Sequence, residues 1–243
     1  MQKIEYKESP SPHVIIENFL PEPSARECLA EAQWLEPVFI PAHVQGDTHS
    51  PEELEACEEC REESTRYKLA IRSNDVIYLD GHYRGKRQKS IILGQLEHAL
   101  NTSALLDAFK TFPHMFPIIA QTSHMETILS SYGMCDFYGW HTDTLPHKPS
   151  ARIITCVVHF NTEPQQYEGG ELILTGKTIE DQLAYKPVHN TAIFFESNTC
   201  VHAVDATKHE GEFKDSRFSI NLWLGFDSRE QDSDRVSSAH KYR

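Results

Sequence analysis

The chain has 243 residues, of which 39% are hydrophobic and 24% charged, which is enough for one sizeable core and typical of a globular protein. A formal net charge of −13 repels phosphate backbones, so we expect no nucleic-acid partner. No apolar run approaches the roughly 18 residues that span a bilayer, and the charged amino terminus does not resemble a secretory signal; we expect no membrane contact and a cytoplasmic location.

The first part of the chain predicts helices and loops around short extended segments. Residues 13–20 indicate a strand, and Ser24 is placed to cap a helix that runs to about residue 34. Residues 41–66 are acidic and predict a long loop with a short helix over 51–63. Two cysteines in that helix, Cys57 and Cys60, lack two further ligands at comparable spacing, so we expect no metal site there.

Further along, residues 72–79 predict an extended segment, and residues 89–110 predict one or two helices broken near Asn101. The basic stretch 84–89 is most simply a solvated loop. After residue 117 short β-type runs dominate, at 127–132, 152–161, 171–175, 191–195 and 217–226. Such regular short strands favour a sandwich or barrel, and the polar residues after 226 predict a frayed tail.

One spacing in this strand-rich part suggests a metal site. His141 and Asp143 alternate along an extended segment and therefore share a face, and His202 follows the apolar run 191–195. Two imidazoles and one carboxylate suit Fe(II) and leave half of its coordination sphere open. Since the chain has fourteen histidines, a chance match is a real alternative, and His124 with Glu126 forms a rival pair that we interpret as structural.

The sequence around this triplet resembles a known family. Residues 132–143, Tyr-Gly-Met-Cys-Asp-Phe-Tyr-Gly-Trp-His-Thr-Asp, are similar to the signature of prolyl 4-hydroxylase-like, 2-oxoglutarate- and Fe(II)-dependent dioxygenases. The same family is matched, in order, by the strand 152–161, the Glu-Gly-Gly-Glu turn at 168–171, the approach to the distal histidine at 194–204 and the final strand 217–223. The resemblance covers about residues 127–226, and 14–20 looks like the family's opening strand.

The resemblance implies a fold, a set of cofactors and a domain plan. The fold would be mainly β with α, a double-stranded β-helix (jelly roll) with supporting helices. The cofactors would be Fe(II), the cosubstrate 2-oxoglutarate and O2, with ascorbate as a candidate reductant. We expect a single domain, with a helical and loop layer over 1–126, the jelly-roll core over 127–228 and a polar tail over 229–243.

The resemblance also implies roles for individual residues. His141, Asp143 and His202 would be the catalytic iron ligands. Arg217 would pair with the distal carboxylate of 2-oxoglutarate, because a guanidinium fork suits a carboxylate, and Ser219 would face the same pocket. Other positions where the family often places groups that hydrogen-bond the cosubstrate are Tyr132 and His159.

Two points stay open. The span 205–216 is longer than the family pattern, so Lys208 or Lys214 is an alternative carboxylate partner; Arg217 is favoured because it opens an apolar strand. For Tyr138 and Trp223, packing in the core is at least as good an interpretation as a role in the site.

The leading functional prediction is hydroxylation of a C–H bond in a prolyl or other amino-acid residue of a peptide or protein, coupled to oxidative decarboxylation of 2-oxoglutarate to succinate and CO2. A free amino acid or small metabolite is an alternative substrate, and a metal-binding jelly-roll module without turnover is an alternative of another class. A nucleic-acid demethylase of this superfamily would carry a second arginine six residues after Arg217, where Trp223 stands. Selectivity would lie in loops 41–90 and 144–151, and the acidic part of the first would suit a basic peptide.

Overall fold

A computed structural model describes residues 2–42, 71–144, 149–178 and 180–226. Most of the predicted acidic loop, its helix at 51–63, the pair Cys57 and Cys60, and the predicted tail lie outside these residues. None of the described helices is both long and apolar enough to cross a membrane.

The described residues form a mainly β structure with supporting helices. The helices are α1 (Glu22–Trp34), α2 (Leu79–Tyr83), α3 (Ile91–Leu100) and α4 (Ser103–Lys110). The strands before the family-like region are β1 (Lys3–Lys7), β2 (His13–Glu17), β3 (Ile40–Pro41), β4 (Arg72–Ser73) and β5 (Asp75–Tyr78). Those that follow are β6 (His124–Tyr132), β7 (Phe137–His141), β8 (Ile154–Phe160), β9 (Glu168–Gly169), β10 (Leu172–Thr175), β11 (Gln182–Tyr185), β12 (Thr191–Glu196), β13 (Val201–Val204), β14 (Thr207–Lys208) and β15 (Arg217–Gly225).

The strands are arranged in two main antiparallel sheets. The larger sheet has eight strands in the order β1-β2-β12-β8-β15-β6-β5-β3, and the smaller has five in the order β11-β10-β13-β7-β4. A short pair, β14 with β9, stands beside them. Neighbours in the sheets are often distant in sequence, as in β12 between β2 and β8, so the strands of the amino-terminal part extend sheets built by the family-like region.

Alternate residues of a strand point to opposite sides, so each strand of the eight-stranded sheet contributes side chains to both faces. One face packs against helices and the other against the smaller sheet, so both faces are buried. On the outer face, side chains such as Phe218, Ile220 and Leu222 of β15 join an apolar core with buried residues of α1, α3 and α4. Covering that face with helices removes the apolar side chains of the sheet from water, which is the main favourable term in folding.

The inner face of the same sheet packs against the five-stranded sheet. A second apolar cluster contains Val157 of β8 and Phe195 of β12 together with Leu172, Leu174 and Val204 of the smaller sheet. The inward positions of β15, by contrast, hold Arg217, Ser219, Asn221 and Trp223. The space between the sheets is therefore part core and part polar, and the predicted site residues lie in it.

Most predicted elements match the observed ones. The strand at 13–20, the extended segment at 72–79, the helical break near Asn101 and the five later β runs all correspond to observed elements within a few residues. The prediction that Ser24 caps the first helix is wrong: α1 starts at Glu22 after Pro21, with no side-chain hydrogen bond at the cap. The prolines at 21 and 23 preset the backbone for a helical start, so no capping side chain is needed there. The basic stretch 84–89 is exposed to solvent, as predicted.

Candidate metal centre and the adjoining pocket

Three predicted metal ligands meet where strand β7 of the smaller sheet ends. His141 is the last residue of β7 and stands directly opposite His202 of the neighbouring β13, and Asp143 follows β7 by two residues. One ligand atom from each of the three lies within 4.8 Å of the others. The pairing of β7 with β13 thus brings together residues that are 61 positions apart, which no local pattern could show.

Backbone carbonyls hold both imidazoles with the same nitrogen toward the cluster. The Nδ1 of His141 lies 2.8 Å from the carbonyl oxygen of Gly139, and the Nδ1 of His202 lies 3.2 Å from that of Cys200. Since a carbonyl only accepts, these contacts favour the tautomer with the proton on Nδ1 and a lone pair on Nε2. Both Nε2 atoms are buried and have no hydrogen-bond partner among the described residues.

Charges in the cluster suit a cation. Burial raises the pKa of Asp143, but the histidines His202 and His141 outweigh burial and hold the pKa of this carboxyl well below its ordinary value. Burial, with a smaller contribution from His141, lowers the pKa of His202 to about 4. Near neutral pH the cluster therefore offers an ionised carboxylate and a neutral imidazole at His202, the protonation states that metal binding requires.

Asp143 is held by Thr155 and Ser197, two residues outside the family-like motif at 132–143. Its Oδ2 accepts a hydrogen bond from the Thr155 hydroxyl at 2.8 Å, and its backbone N–H donates to the carbonyl of Ser197 at 3.0 Å. The Thr155 and Ser197 hydroxyls lie 2.9 Å apart. Thr155 lies in a strand whose residues are apolar apart from Thr155 and His159, and no sequence motif marks it. Its position on the inward face becomes evident only when the faces of the sheet are known.

The cluster is accessible on the His141 side. The side chain of His141 is 14% exposed, against 4% for Asp143 and 2% for His202. The ring of Tyr138 stacks on His141 with centroids 3.6 Å apart, and the Arg72 guanidinium lies 4.2 Å from the Tyr138 centroid on the neighbouring strand. Tyr138 is therefore part of the wall beside the candidate ligand and not only a core aromatic.

A buried arginine forms a second polar feature between the sheets. Arg217 is fully buried; its Nε donates to the carbonyl of Gly170 at 2.7 Å and its Nη1 to the hydroxyl of Ser219 at 3.1 Å. Its Nη2 has no partner among the described residues, and none of their carboxylates forms an ion pair with it. A buried unpaired charge is costly, so this guanidinium is suited to an anionic ligand.

Gly170 is required for this arrangement. Its φ is +70°, and a Cβ added there would lie 2.5 Å from Cδ of Arg217. Any side chain at this position would be strained and would displace the guanidinium. The Glu-Gly-Gly-Glu turn therefore positions the Arg217 guanidinium as well as reversing the direction of the chain.

The remaining predicted cosubstrate residues surround Arg217. The ring of Tyr132, paired with Arg217 across β6 and β15, lies 4.6 Å from the guanidinium carbon. His159 stands opposite Ser219 on β8, is fully buried, and has no partner for either ring nitrogen among the described residues. Burial, and to a smaller extent Arg217, lowers the pKa of His159 well below its ordinary value, so its imidazole is neutral.

The rival residues lie elsewhere. Lys208 is exposed on β14, and Lys214 is exposed and paired with Glu212 at 2.7 Å. His124 and Glu126 lie 3.2 Å apart, and Glu126 is paired with Arg152 at 2.6 Å.

Trp223, the other aromatic left open, is almost fully buried on the inner face opposite Thr155. The guanidinium of Arg152 lies 3.7 Å from its ring, and the indole contributes to lowering the pKa of Asp143.

Residues 127–225 match the model of the 2OG-Fe(II) oxygenase superfamily. A curated relative, an uncharacterized PKHD-type hydroxylase from Synechocystis, is 28% identical over 112 residues. That alignment covers 43% of this chain and 37% of the relative, so the chain spans little more than a third of its length.

Solved structures share the fold at low sequence identity. A prolyl-4-hydroxylase from Pseudomonas putida has a TM-score of 0.56 at 16% identity, covering 89% of this chain and 93% of that one. A prolyl hydroxylase from Trichoplax adhaerens, in complex with a peptide of the hypoxia inducible factor oxygen degradation domain, has a TM-score of 0.59 at 17% identity, covering 88% of this chain and 83% of that one.

Proposed function

We propose that this chain, whose residues 127–225 match the 2OG-Fe(II) oxygenase superfamily and whose fold is shared by solved prolyl hydroxylases, hydroxylates a prolyl or other amino-acid residue in a peptide or protein. Its cofactor set is that of the superfamily: Fe(II), 2-oxoglutarate and O2. The observation that carries the proposal is the pairing of a two-histidine, one-carboxylate cluster with a buried arginine that lacks an anionic partner among the described residues.

We infer that the two facing sheets are the double-stranded β-helix of this superfamily. Support comes from the antiparallel pairing of strands that are distant in sequence and from the apolar cluster shared by both sheets. The amino-terminal strands β1 and β2 extend the larger sheet, and helices α1, α3 and α4 cover its outer face, which supports treating the chain as one domain.

His141, Asp143 and His202 are proposed as the iron ligands. The donor set fits the ion: two imidazole lone pairs and one ionised carboxylate oxygen converge, and both Nε2 atoms are buried without another use among the described residues. Bound Fe(II) would supply the activation of O2 that is driven by decarboxylation of 2-oxoglutarate. The protein's own contribution is to fix the ligand geometry, the histidine tautomers and the exclusion of water.

Arg217 is proposed to bind the distal carboxylate of 2-oxoglutarate. Its free Nη2 offers a charge-assisted hydrogen bond, and Ser219 and Gly170 hold the other guanidinium nitrogens so that the fork does not rotate. The neutral ring of His159 and the hydroxyl of Tyr132 are the further groups proposed for the cosubstrate. The exposed positions of Lys208 and Lys214 count against the alternative partners.

A peptide substrate is favoured over a free amino acid by the accessible side of the cluster. His141 is its most exposed member, and beside it Trp140 is 40% exposed, which gives an approaching chain an aromatic surface. The fold relative from Trichoplax adhaerens holds a peptide, and the curated relative is named a hydroxylase. The acidic composition of residues 43–70 would suit peptides in which the hydroxylated residue is flanked by Lys or Arg.

The test is succinate release from 2-oxoglutarate by the Fe(II)-loaded protein, screened over proline-containing peptides, with and without basic flanks, and over free amino acids. We expect a mass increase of one oxygen in a peptide. Hydroxylation of a free amino acid alone would move the proposal to the small-metabolite alternative. No turnover, with metal bound by the wild type and lost in His141→Ala, would favour a metal-binding module without catalysis.

The cosubstrate assignment has its own set of variants. Arg217→Ala is expected to weaken 2-oxoglutarate binding by about 10- to 100-fold, since a buried charge-assisted pair contributes about 1.5–3 kcal/mol. Lys208→Ala and Lys214→Ala are the matched controls and are expected to bind as the wild type does. Wild-type affinity in Arg217→Ala would refute the assignment.

A further inference from the structure

A chain of hydrogen bonds leads from the core to Asp143. The Ser197 and Thr155 hydroxyls lie 2.9 Å apart, and the Thr155 hydroxyl is 2.8 Å from Oδ2 of Asp143. All three side chains are buried, Ser197 and Thr155 completely. The Ser197 carbonyl also accepts the backbone N–H of Asp143, so one segment fixes both the backbone and the side chain of this residue.

The direction of this chain follows from the chemistry of its end. A carboxylate that ligates a metal carries no proton and only accepts. The single hydroxyl hydrogen of Thr155 must therefore point at Asp143. Ser197 must then donate its own hydrogen to the Thr155 oxygen. Donation from Ser197 polarises the Thr155 hydroxyl and strengthens its bond to the carboxylate.

The buried hydroxyl of Thr155 would destabilise the fold if it made no hydrogen bond. It stands on the inner face of β8, where the next inward residue, Val157, is part of the apolar cluster. Valine has nearly the shape of threonine, and burying the threonine hydroxyl without a partner is unfavourable. A threonine at this position is explained by what its hydroxyl does for Asp143.

We propose that Thr155, supported by Ser197, is a positioning residue that restricts Asp143 to a single coordination position on the metal. This inference rests on the proposed function. His141, Asp143 and His202 would hold the metal with one atom each, which would leave the rest of its coordination sphere for the cosubstrate and O2. A carboxylate that turned both oxygens to the metal would occupy part of that remaining sphere. Oδ1 lies 3.6 Å from Nε2 of His141 and Oδ2 lies 3.4 Å from Nε2 of His202, so both oxygens are near the candidate ligand nitrogens. The hydrogen bond from Thr155 occupies Oδ2 and opposes binding of both oxygens to the metal.

The test compares Thr155→Val, which keeps the shape and removes the hydroxyl, with Thr155→Ser, which keeps the hydroxyl. Each metal-free protein is titrated with Fe(II) under anaerobic conditions and with Co(II), whose visible absorption reports coordination number. Thr155→Val is expected to lose about 10- to 100-fold in metal affinity, the usual effect of removing a partner that orients a ligand, and to change the Co(II) absorption. Thr155→Ser is expected to restore both.

Thermal unfolding of the metal-free variants separates positioning from folding. A merely structural role would lower the melting temperature of Thr155→Val and leave the Co(II) absorption of its folded fraction as in the wild type, and that result would overturn the proposal. If Thr155→Val does not fold, Ser197→Ala carries the same comparison: it removes only the outer hydroxyl, so weakened Co(II) binding supports the chain and wild-type binding overturns it. A wild type that binds metal but releases no succinate would refute the proposed reaction and leave this inference standing.

Discussion

The two faces of strand β15 differ in what their buried side chains do. Outward-pointing Phe218, Ile220 and Leu222 are apolar and pack under the helices. Inward-pointing Arg217 is also fully buried, yet its Nη2 has no partner among the described residues. Burial of these apolar side chains stabilises the protein on the first face. On the second face the unpaired guanidinium nitrogen of Arg217 costs stability unless an anionic ligand pairs with it.

The largest test of this contrast is Ile220→Ala on the outer face. Removing a fully buried isoleucine side chain leaves a cavity under the helices, and we expect the free energy of unfolding to fall by about 2–5 kcal/mol. Urea denaturation measures this change. Affinity for 2-oxoglutarate in the folded variant should stay at the wild-type value.

Ser219→Ala is the matched change on the adjacent residue and opposite face. It removes the acceptor of the Arg217 Nη1 hydrogen bond, so 2-oxoglutarate affinity should fall although the core under the helices is untouched. A loss of affinity in Ile220→Ala equal to that in Ser219→Ala would show that the two faces are not separable.

A smaller effect is expected from the charge state of His159. Its pKa is lowered in the folded protein by burial and by Arg217, whereas the unfolded chain titrates near 6.5. Above that pH both states are neutral and the residue contributes nothing. As the pH falls below 6.5, His159 becomes protonated in the unfolded state but stays neutral in the folded state. The free energy of unfolding then falls by about 1.4 kcal/mol per pH unit.

His159→Gln should therefore flatten the pH dependence by one proton. Urea denaturation of wild type and variant between about pH 7 and about pH 5 gives the two slopes. Parallel slopes would mean that His159 is protonated in the folded protein, and its proposed role as a neutral cosubstrate contact would then fail.

The smallest effect is expected in the helical layer. Gly94 lies within α3, is exposed, and a Cβ added there meets nothing within 4 Å. Gly94→Ala should stabilise the protein by about 0.5–1 kcal/mol, because alanine loses less backbone entropy in a helix. Thermal denaturation detects such a shift, and 2-oxoglutarate affinity should not change. A lower melting temperature in Gly94→Ala would contradict this prediction and would mean that the added methyl group clashes with a neighbouring part of the protein.

The sequence predicted elements well where the chemistry is local. The break near Asn101 and the strand runs after residue 117 were found from periodicity and turn residues, and the spacing of His141 and Asp143 pointed to a shared ion. The capping prediction at Ser24 failed because two prolines preset the helix start one turn earlier than the hydroxyl signal suggested.

The sequence by itself determined which side chains have the chemistry for iron and a carboxylate, because residue type and order are local properties. Only the tertiary structure decided how they are supported. The antiparallel pairing of β7 with β13 set His202 opposite His141, and the neighbouring strands β8 and β12 brought Thr155 and Ser197 to Asp143. Contacts between strands depend on the pairing register and on which face of each strand points inward. The residues of one strand alone determine neither the register nor the inward face.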